Sequence, residues 1–597
     1  MTSPEKNNLH HLKVILKSLS KHQALVLNEN VESTSDYSVN TIAKLDSPII
    51  TNLQQQFSSN QQLLLKSIWT PNSVKIVNNS CVFAKNPTTK ILPPAFDGLM
   101  FIFALSDNKF RQKHFEHLVQ YYFDCLKDDL ENKKIVSKFF SETQVRILLP
   151  IVKFELLAIE TNNKQLATNI DYYLKYPLLN QEDIYVVIKN YLGTTDYDLN
   201  DYQLIELKET NGHLGEYYHL RIKITHNRQP KEIELFAKFL IIKAEILRKV
   251  LENGPGKRED FFYNTLYPLY IEHGLQDILD FAPKCYLSRI SWLIVLDDLT
   301  KTDFISFKPN VLLDFNGLSC LVEKLAKFHS TTLILEEILT KKSGKTFRLD
   351  DLYDEYFDDV LLSYNSNNPT CALYDKNLER LYYVAEKFPE IISSLKLSSE
   401  DLNKALKDIY WNLFCQLKPE NCKLRSIVNH GDTYISNFLF KYDNNDKNII
   451  KEAILIDFQL LRYMPPGYEL LFALISSSSK TTRDKYLQRL IEEYYNNISK
   501  YLKHFNIDPE EVFPEKLFME NIKKAYPAAL TQSFNYGLFI HIDPDFREEI
   551  MHDQYKLKYY LEDHKSAIID KFWNDDHYRS VLKGFIEDFV ELIRKGC

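Results

Sequence analysis

The stretch 428–437, Val-Asn-His-Gly-Asp-Thr-Tyr-Ile-Ser-Asn, and the stretch 454–459, Ile-Leu-Ile-Asp-Phe-Gln, decide the fold of this 597-residue chain. The first places Asp432 five residues ahead of Asn437, and the second ends an apolar strand on Asp457, twenty residues beyond Asn437. Phosphoryl transfer needs one aspartate beside the attacking hydroxyl, and an asparagine and a second aspartate on magnesium. The spacing therefore predicts Asp432 as the catalytic base and Asn437 and Asp457 as Mg²⁺ ligands.

Composition and charge limit the class of protein. The chain is 45% hydrophobic and 13% aromatic, enough for packed cores in more than one domain. Its net charge of -8 argues against a constitutive partnership with nucleic acid or an anionic membrane. Residues 99–105, the most apolar run, are too short to span a bilayer. The eight cysteines are scattered without a C-x-x-C pair, which favours a reducing compartment. We therefore expect a cytoplasmic protein without a membrane span.

The order of the sequence patterns predicts a sheet-containing lobe followed by a helical lobe. Residues 1–80 are rich in Asn, Ser, Gln and Lys and predict a loop-rich N-terminal segment. Strand-like runs follow at 202–207, 217–225 and 233–242. Helical patterns follow these strands at 311–330, 352–362, 378–388 and 402–417. This order predicts an α+β, bilobal, protein-kinase-like fold, with an N-lobe at 180–300 and a C-lobe at 301–597.

An internal repeat relates the N-terminal third to the C-lobe. Residues 93–122 match residues 465–494 without a gap, at a constant offset of 372 (465 − 93 and 494 − 122). At this offset Lys85 takes the place of Asp457, and a lysine repels Mg²⁺. We interpret residues 81–175 as a degenerate, partial C-lobe repeat without an active site. A genuine fusion and an error in the gene model would each explain why this repeat precedes the kinase domain. Its apolar stripe should dock on the kinase domain or on a partner.

A lysine interrupts an apolar strand of the predicted N-lobe. Lys238 lies in the run 235–240, Leu-Phe-Ala-Lys-Phe-Leu, and a lysine in a buried strand is costly unless it is paired. The partner should be a carboxylate on the next helix, and Glu259 is the candidate. In kinases such an ion pair positions the α- and β-phosphates of ATP. The alternative is a lysine on an edge strand that faces solvent.

Two weaker signals complete the predicted nucleotide site. Gly212 and Gly215 precede the strand at 217–225 and can let backbone N–H groups approach the triphosphate, although a plain hairpin turn explains them as well. The apolar run 292–296, followed by Asp297, predicts an interlobe hinge. There the backbone around Leu296 and Asp297 can bind adenine.

Taken together, these motifs resemble the ecdysteroid kinase-like (CHK kinase-like) family, in the choline kinase and aminoglycoside phosphotransferase branch of the protein-kinase-like fold. The resemblance covers roughly residues 180–597 and is most specific in the Asp-Phe-Gln at 457–459 and the Leu-Ala-Lys-Phe-His at 325–329. It implies an ATP- and Mg²⁺-dependent kinase that phosphorylates an alcohol of a small lipophilic acceptor. An ecdysteroid-like steroid is the acceptor that the resemblance favours.

Four positions depart from the usual family pattern: Tyr434 for Trp, Ser436 for Asn, Asp297 for Glu, and Glu469 for Asp. The resemblance implies that the carboxylate at position 469 braces the catalytic loop, so the extra methylene of Glu469 must be accommodated. None of the four changes removes a group that phosphoryl transfer requires.

Two other functions stay open at the level of sequence. A choline, ethanolamine or xenobiotic kinase would need a cage for its acceptor, and the aromatic and acidic residues of 350–357 offer one. The competing interpretation of that cluster is a solvated helix face with a buried aromatic side. A non-catalytic ligand-binding protein with a kinase fold is the second possibility, although Lys238, Asp432, Asn437 and Asp457 are all present.

Overall fold

The computed structural model describes residues 181–207, 216–239, 255–289, 293–357, 371–415, 422–552 and 566–596, with short pieces and single residues elsewhere. Contacts divide the chain into two compact units, Met1–Gln181 and Glu182–Cys597.

The described part of the first unit contains four short strands. Strand β1 (Leu65–Lys66) pairs with β4 (Ile91–Leu92), and β2 (Val74–Val77) pairs with β3 (Ser80–Phe83), both antiparallel. The predicted C-lobe-like repeat otherwise lies almost wholly outside the described residues, and so does its docking. Three described residues of the repeat are helical and buried, as are their counterparts 372 positions later: Ile102, Leu118 and Tyr122 with Leu474, Leu490 and Tyr494.

The second unit opens with helix α1 (Gln181–Leu192) and an antiparallel sheet of five strands in the order β5-β6-β7-β9-β8. The bounds of these strands are Asp198–Glu206 (β5), Glu216–His226 (β6), Gln229–Phe239 (β7), Cys285–Arg289 (β8) and Leu293–Asp297 (β9). The predicted strand at 217–225 lies within β6, and those at 202–207 and 233–242 overlap β5 and β7. Asn227 and Arg228 join β6 to β7 with φ angles of 51° and 61°, the left-handed backbone of a tight hairpin turn.

A continuous helical segment runs between β7 and β8. It starts as α2 (Pro255–Phe261), widens into a π-helix (Phe262–Leu266) and ends as α3 (Tyr267–Glu272). A π-helix adds a residue to the turn and is often found at functional sites. Glu259 lies on α2, the helix on which the sequence analysis expects the partner of Lys238.

The rest of the second unit is mainly helical, and α4 (Phe315–Ser343) is its longest helix. Asp314 caps its N-terminus with a carboxylate that accepts the N–H of Gly317 at 2.9 Å, and Gly344, with a φ of 69°, follows its last residue. The helices that follow are α5 (Asp350–Tyr353), α6 (Cys371–Glu386), α7 (Pro389–Ile392), α8 (Ser399–Cys415), α9 (Gly467–Ser476), α10 (Lys480–His504), α11 (Pro509–Val512), α12 (Glu515–Ile540), α13 (Pro544–His552), α14 (Ala567–Phe572) and α15 (Asp576–Arg594).

The helices of this lobe pack against one another around a buried core. All ten residues of α9 are buried, so α9 lies between other elements and packs on α12, while α4 packs on α10. Three predicted helices correspond to α4, α6 and α8. The fourth, at 352–362, is only the short α5 and a single 3₁₀ turn as far as residue 356, and 358–370 lie outside the described residues.

Short strands hold the loops of the helical lobe that carry the predicted chemistry. Strand β11 (Ile427–Asn429) pairs with β14 (Arg462–Met464), and β10 (Ile305–Ser306), β12 (Phe438–Tyr442) and β13 (Ile450–Leu455) form a second small sheet. The loop 430–437 connects β11 to β12, and Asp457 lies two residues after Leu455, where β13 ends. The α+β, bilobal kinase-like fold expected from the sequence is therefore confirmed. Among the described helices, none combines the length and apolar character that a bilayer crossing requires.

Candidate active site

The loop 430–437 is held in a tight path by its backbone. Gly431 has a φ of 86°, and a Cβ at this position would lie 1.8 Å from the carbonyl oxygen of Leu460. Only glycine fits both the left-handed conformation and this close approach. The ring of His430 donates from Nε2 to the carbonyl of Ile456 at 2.8 Å and accepts the N–H of Asp432 at Nδ1 at 3.4 Å. The loop is thereby tied to the segment that carries Asp457.

Asp432 and Asn437 are in direct contact within the loop. The side-chain amide of Asn437 donates to the Asp432 carboxylate at 2.9 Å and to the Asp432 carbonyl at 2.7 Å. The nitrogen of Asn437 is thus engaged, and its oxygen is the atom suited to a metal ion. Burial raises the pKa of Asp432 to about 6, and the charge of Asp457 adds to this, while hydrogen bonds from Tyr536 and Asn437 oppose it. A pKa nearer to neutrality suits a general base.

Asp457 adopts a backbone conformation that aspartate seldom takes. Its φ of 71° lies in the left-handed region, where non-glycine residues are uncommon and concentrate at functional sites. One carboxylate oxygen accepts from the amide of Gln459 at 2.9 Å, and the other contacts the ammonium of Lys238. The N–H of Ile456 donates to the carbonyl of Asn437 at 3.0 Å, so the two predicted metal ligands belong to hydrogen-bonded segments.

Lys238 lies between two carboxylates. Its ammonium is 3.0 Å from Glu259 and also contacts Asp457, and the whole residue is only 4% exposed. Burial would lower the pKa of Lys238, but the negative charges of Asp457 and Glu259 outweigh burial and hold it above its ordinary value. Burial raises the pKa of Glu259, an effect that Lys238 opposes. A lysine buried in this way needs a negative charge in direct contact with it.

An aromatic stack joins the helical segment that carries Glu259 to the segment that carries Asp457. The ring of Phe458 lies 3.7 Å from the ring of Phe262, at an interplanar angle of 6°, and also contacts the ring of His430. Phe262 is the first residue of the π-helix, three positions after Glu259. One helix therefore contacts the strand lysine through Glu259 and the Asp-Phe-Gln segment through Phe262.

Glu469 contacts the catalytic loop as the resemblance implies. Its buried carboxylate accepts the backbone N–H of His430 at 2.9 Å and that of Gly431, and it also accepts from Nε2 of His329 at 2.7 Å. The other ring nitrogen of His329 contacts the hydroxyl of Tyr494. Burial would raise the pKa of Glu469, but hydrogen bonds and charge from His329, His430 and Gly431 hold it below its usual value. The longer side chain is therefore accommodated, and His329 is a structural residue that reaches the loop through Glu469.

Sequence reasoning missed Tyr536, which contacts Asp432 directly. Its hydroxyl donates to the Asp432 carboxylate at 2.9 Å from helix α12, 104 residues further along the chain. The ring of Tyr434, one of the departures from the family pattern, packs edge-on against Tyr536 with centroids 5.7 Å apart. Nothing in the spacing around Tyr536 distinguishes it from the other aromatic residues of α12.

The hinge residues are partly engaged within the sheet. The N–H of Asp297 donates to the carbonyl of Lys284 at 3.0 Å, and the Asp297 carboxylate accepts from the hydroxyl of Tyr286 at 2.7 Å. Adenine cannot be bound through this N–H unless the sheet bond is lost. Leu296 is buried in the same strand. Gly212 and Gly215 lie outside the described residues.

The aromatic and acidic cluster considered as a cation cage contacts the protein itself. Tyr356 stacks on Phe261 with centroids 4.0 Å apart, and the ammonium of Lys257 lies 4.6 Å from the centre of the Tyr356 ring. Lys257 also pairs with Glu355. A cation of the chain therefore already occupies the position that a cationic acceptor would take at Tyr356.

Comparisons with known proteins bear on the same part of the chain. Residues 211–507 match the ecdysteroid kinase-like family. Among solved structures, the chain is similar to a choline kinase from Cryptosporidium parvum Iowa II, with 12% sequence identity and a TM-score of 0.29, covering 70% of this chain and 97% of that chain. No curated protein matches the sequence. The matched span contains Lys238, Glu259, Asp432, Asn437 and Asp457, and residues 211–507 form an ecdysteroid kinase-like region, which points to a small-molecule phosphotransferase.

Proposed function

We propose that this protein transfers the γ-phosphoryl group of ATP to a hydroxyl of a small lipophilic alcohol, with an ecdysteroid-like steroid as the favoured acceptor. The observation that carries the proposal is one connected array of polar contacts. Glu259, Lys238 and Asp457 form a chain of ion pairs, and Asp432 and Asn437 share hydrogen bonds beside them. The steroid class rests on the family match.

Each residue of the array has a distinct role in this proposal. Asp432 orients the acceptor hydroxyl and accepts its proton, and Tyr536 and Asn437 hold the Asp432 carboxylate in place. Lys238 binds the α- and β-phosphates, and Glu259 holds Lys238 in position. Asn437 and Asp457 offer one amide oxygen and one carboxylate, a donor set that suits Mg²⁺, which usually takes few protein ligands together with phosphate oxygens. A magnesium ion held by these two residues would supply positive charge beside the transferring phosphoryl group.

The alternatives receive less support. The cage proposed for a choline or ethanolamine acceptor is filled by the protein itself, because Tyr356 is stacked on Phe261 and covered by Lys257. A non-catalytic binding protein would not need a buried lysine between two carboxylates, an arrangement that is costly to maintain. We further propose a cytoplasmic location, because the scattered cysteines of the sequence favour a reducing compartment.

A screen of ATP consumption tests the proposed function. The purified protein is incubated with Mg-ATP and with sterols, glycosides, phenols and amino alcohols in turn. We expect acceptor-dependent ADP release with a hydroxylated steroid and a phosphate monoester in the product. Turnover restricted to amino alcohols would contradict the proposed acceptor class. Mg-ATP binding without transfer to any acceptor would instead favour the non-catalytic protein.

The Lys238–Glu259 pair gives a prediction that is independent of the acceptor. We expect Lys238→Met to weaken Mg-ATP binding by about 10²-fold, since it removes a preorganised cation. Glu259→Gln should have a smaller effect because the glutamate only positions the lysine. The double variant should be little worse than Lys238→Met alone, so the coupling energy should be about as large as the loss from Glu259→Gln, on the order of 1 kcal/mol. Binding of Mg-ATP measured by calorimetry completes the cycle.

A matched control exists in the sheet that carries Lys238. Lys223 and Glu232 face each other across β6 and β7 and are both exposed. Lys223→Met and Glu232→Gln should leave Mg-ATP affinity unchanged. If the losses from Lys238→Met and Glu259→Gln simply add in the double variant, the proposed dependence of the lysine on the glutamate is wrong.

A further inference from the structure

A surface segment of the helical lobe packs against the helix that carries Glu259. The segment Asp350–Phe357, named the α2 clamp below, comprises α5 and the 3₁₀ turn that follows it. Phe261 of α2 is its main apolar contact. The Phe261 ring stacks on Tyr356 at 4.0 Å and 11°, and also lies 5.1 Å from the ring of Tyr353 and 5.8 Å from that of Phe357. Three aromatic side chains of the clamp thus surround one side chain of α2.

Polar contacts fix the orientation of α2 on the clamp. Arg258 donates from Nε to the carbonyl of Tyr356 at 2.9 Å, and Lys257 pairs with Glu355 while lying over the Tyr356 ring. The clamp contacts Lys257, Arg258 and Phe261, which lie on one side of the helix because Phe261 follows the other two by four and three residues. Glu259 leaves the same helix on the side of Lys238. Rotation or outward movement of α2 would break both sets of contacts together.

The clamp itself is anchored in the core of the helical lobe through Glu336. This carboxylate is fully buried and accepts the N–H of Leu349, the residue before the clamp, at 2.9 Å. It also accepts the hydroxyl of Tyr463 at 2.8 Å and pairs with Arg425. Phe357, the last residue of the clamp, lies 5.6 Å from the Tyr463 ring. Glu336 therefore bonds the residue before the clamp directly, and it reaches the last residue of the clamp through Tyr463.

We propose that the α2 clamp is a positioning element for the phosphate-binding lysine, with Tyr356 as its principal positioning residue. This inference rests on the proposed function of Lys238 and Glu259. The clamp holds α2 against the helical lobe, α2 presents Glu259, and Glu259 holds Lys238 where the phosphates bind. Without the clamp, the helical segment keeps the stack of Phe262 on Phe458 and the hydrogen bond from the hydroxyl of Ser288 to Asp260 at 2.7 Å, but loses its contacts with Asp350–Phe357.

The experiment compares Mg-ATP binding by calorimetry in the full-length protein and its variants. Tyr356→Ala removes the stack on Phe261, and we expect it to weaken Mg-ATP binding on the order of tenfold, a coupling of ordinary size for contacting groups. Tyr356→Phe keeps the ring and should bind Mg-ATP like the wild type. Leu352→Ala is the matched control, because Leu352 belongs to the clamp and is 63% exposed.

The decisive comparison is made in the Lys238→Met background. If the clamp acts through Glu259 and Lys238, Tyr356→Ala should cause little further loss of Mg-ATP binding there. A loss as large as in the wild-type background would show that Tyr356 acts on the nucleotide by another route and would overturn the inference. So would unchanged binding by a folded Tyr356→Ala protein.

The same experiment separates this inference from the proposed function. If the wild-type protein binds no Mg-ATP, the proposed function fails, and the clamp has no lysine to position. If the wild type binds Mg-ATP and Lys238→Met weakens that binding, but Tyr356→Ala does not, only the clamp is wrong. Thermal unfolding of each variant shows whether the protein is folded under the conditions of the measurement.

Discussion

Asp432→Asn is expected to lower kcat by about 10²–10⁴-fold, the usual contribution of a positioned general base. Asparagine has nearly the same shape, so it can still accept from Tyr536 and lie beside Asn437, but it cannot take a proton from the acceptor. Mg-ATP affinity should change little, because the base acts on the acceptor and not on the nucleotide. The measurements are turnover with the acceptor found by the screen and calorimetric binding of Mg-ATP.

An exposed aspartate provides the control for this variant. Asp408 lies on the solvent side of α8, and Asp408→Asn removes the same charge from the protein without touching the site. Turnover by this control should match the wild type. If Asp432→Asn keeps most of its turnover, or loses as much Mg-ATP affinity as the metal-ligand variant described next, the role of Asp432 as base is wrong.

Asp457→Asn is expected to abolish turnover and also to weaken Mg-ATP binding by about tenfold or more. Asp457 is the charged member of the proposed metal-ligand pair, and an amide is a much poorer ligand for Mg²⁺ than a carboxylate. The change also leaves Lys238 with Glu259 as its remaining acidic partner among the contacts described for it. Mg-ATP binding measured over a range of Mg²⁺ concentrations should show a higher Mg²⁺ requirement. An unchanged Mg²⁺ dependence would rule out Asp457 as a ligand.

The two aspartate variants are informative as a pair. Both replace a carboxylate by an amide in the same polar region, so a general electrostatic or folding effect would change nucleotide binding in both. Only the proposed division of roles predicts that turnover falls in both variants while Mg-ATP affinity falls in one. The Asp408→Asn control applies to both.

The sequence alone determined the parts of the protein that depend on local patterns. Strand-like runs at 217–225 and 233–242 predicted the strands β6 and β7, because residues favoured in strands are recognisable from a short local stretch. The spacing of Asp432, Asn437 and Asp457 predicted a kinase-type loop and strand end, because few other functions need those groups in that order. The cost of a buried lysine pointed to Glu259, and the structure brings Lys238 to 3.0 Å from it.

Only the tertiary structure showed which distant side chains complete the site. Asp457 contacts Lys238 across 219 residues of chain, Tyr536 contacts Asp432 across 104, and Arg258 contacts the carbonyl of Tyr356 across 98. The aromatic residues of 350–357 were compatible with a ligand cage as well as with the packing interpretation, and the contact of Tyr356 with Phe261 supports packing. Burial of apolar surface is non-directional, so a sequence can specify that an aromatic residue is covered without specifying by what. The partner follows from how the helices pack.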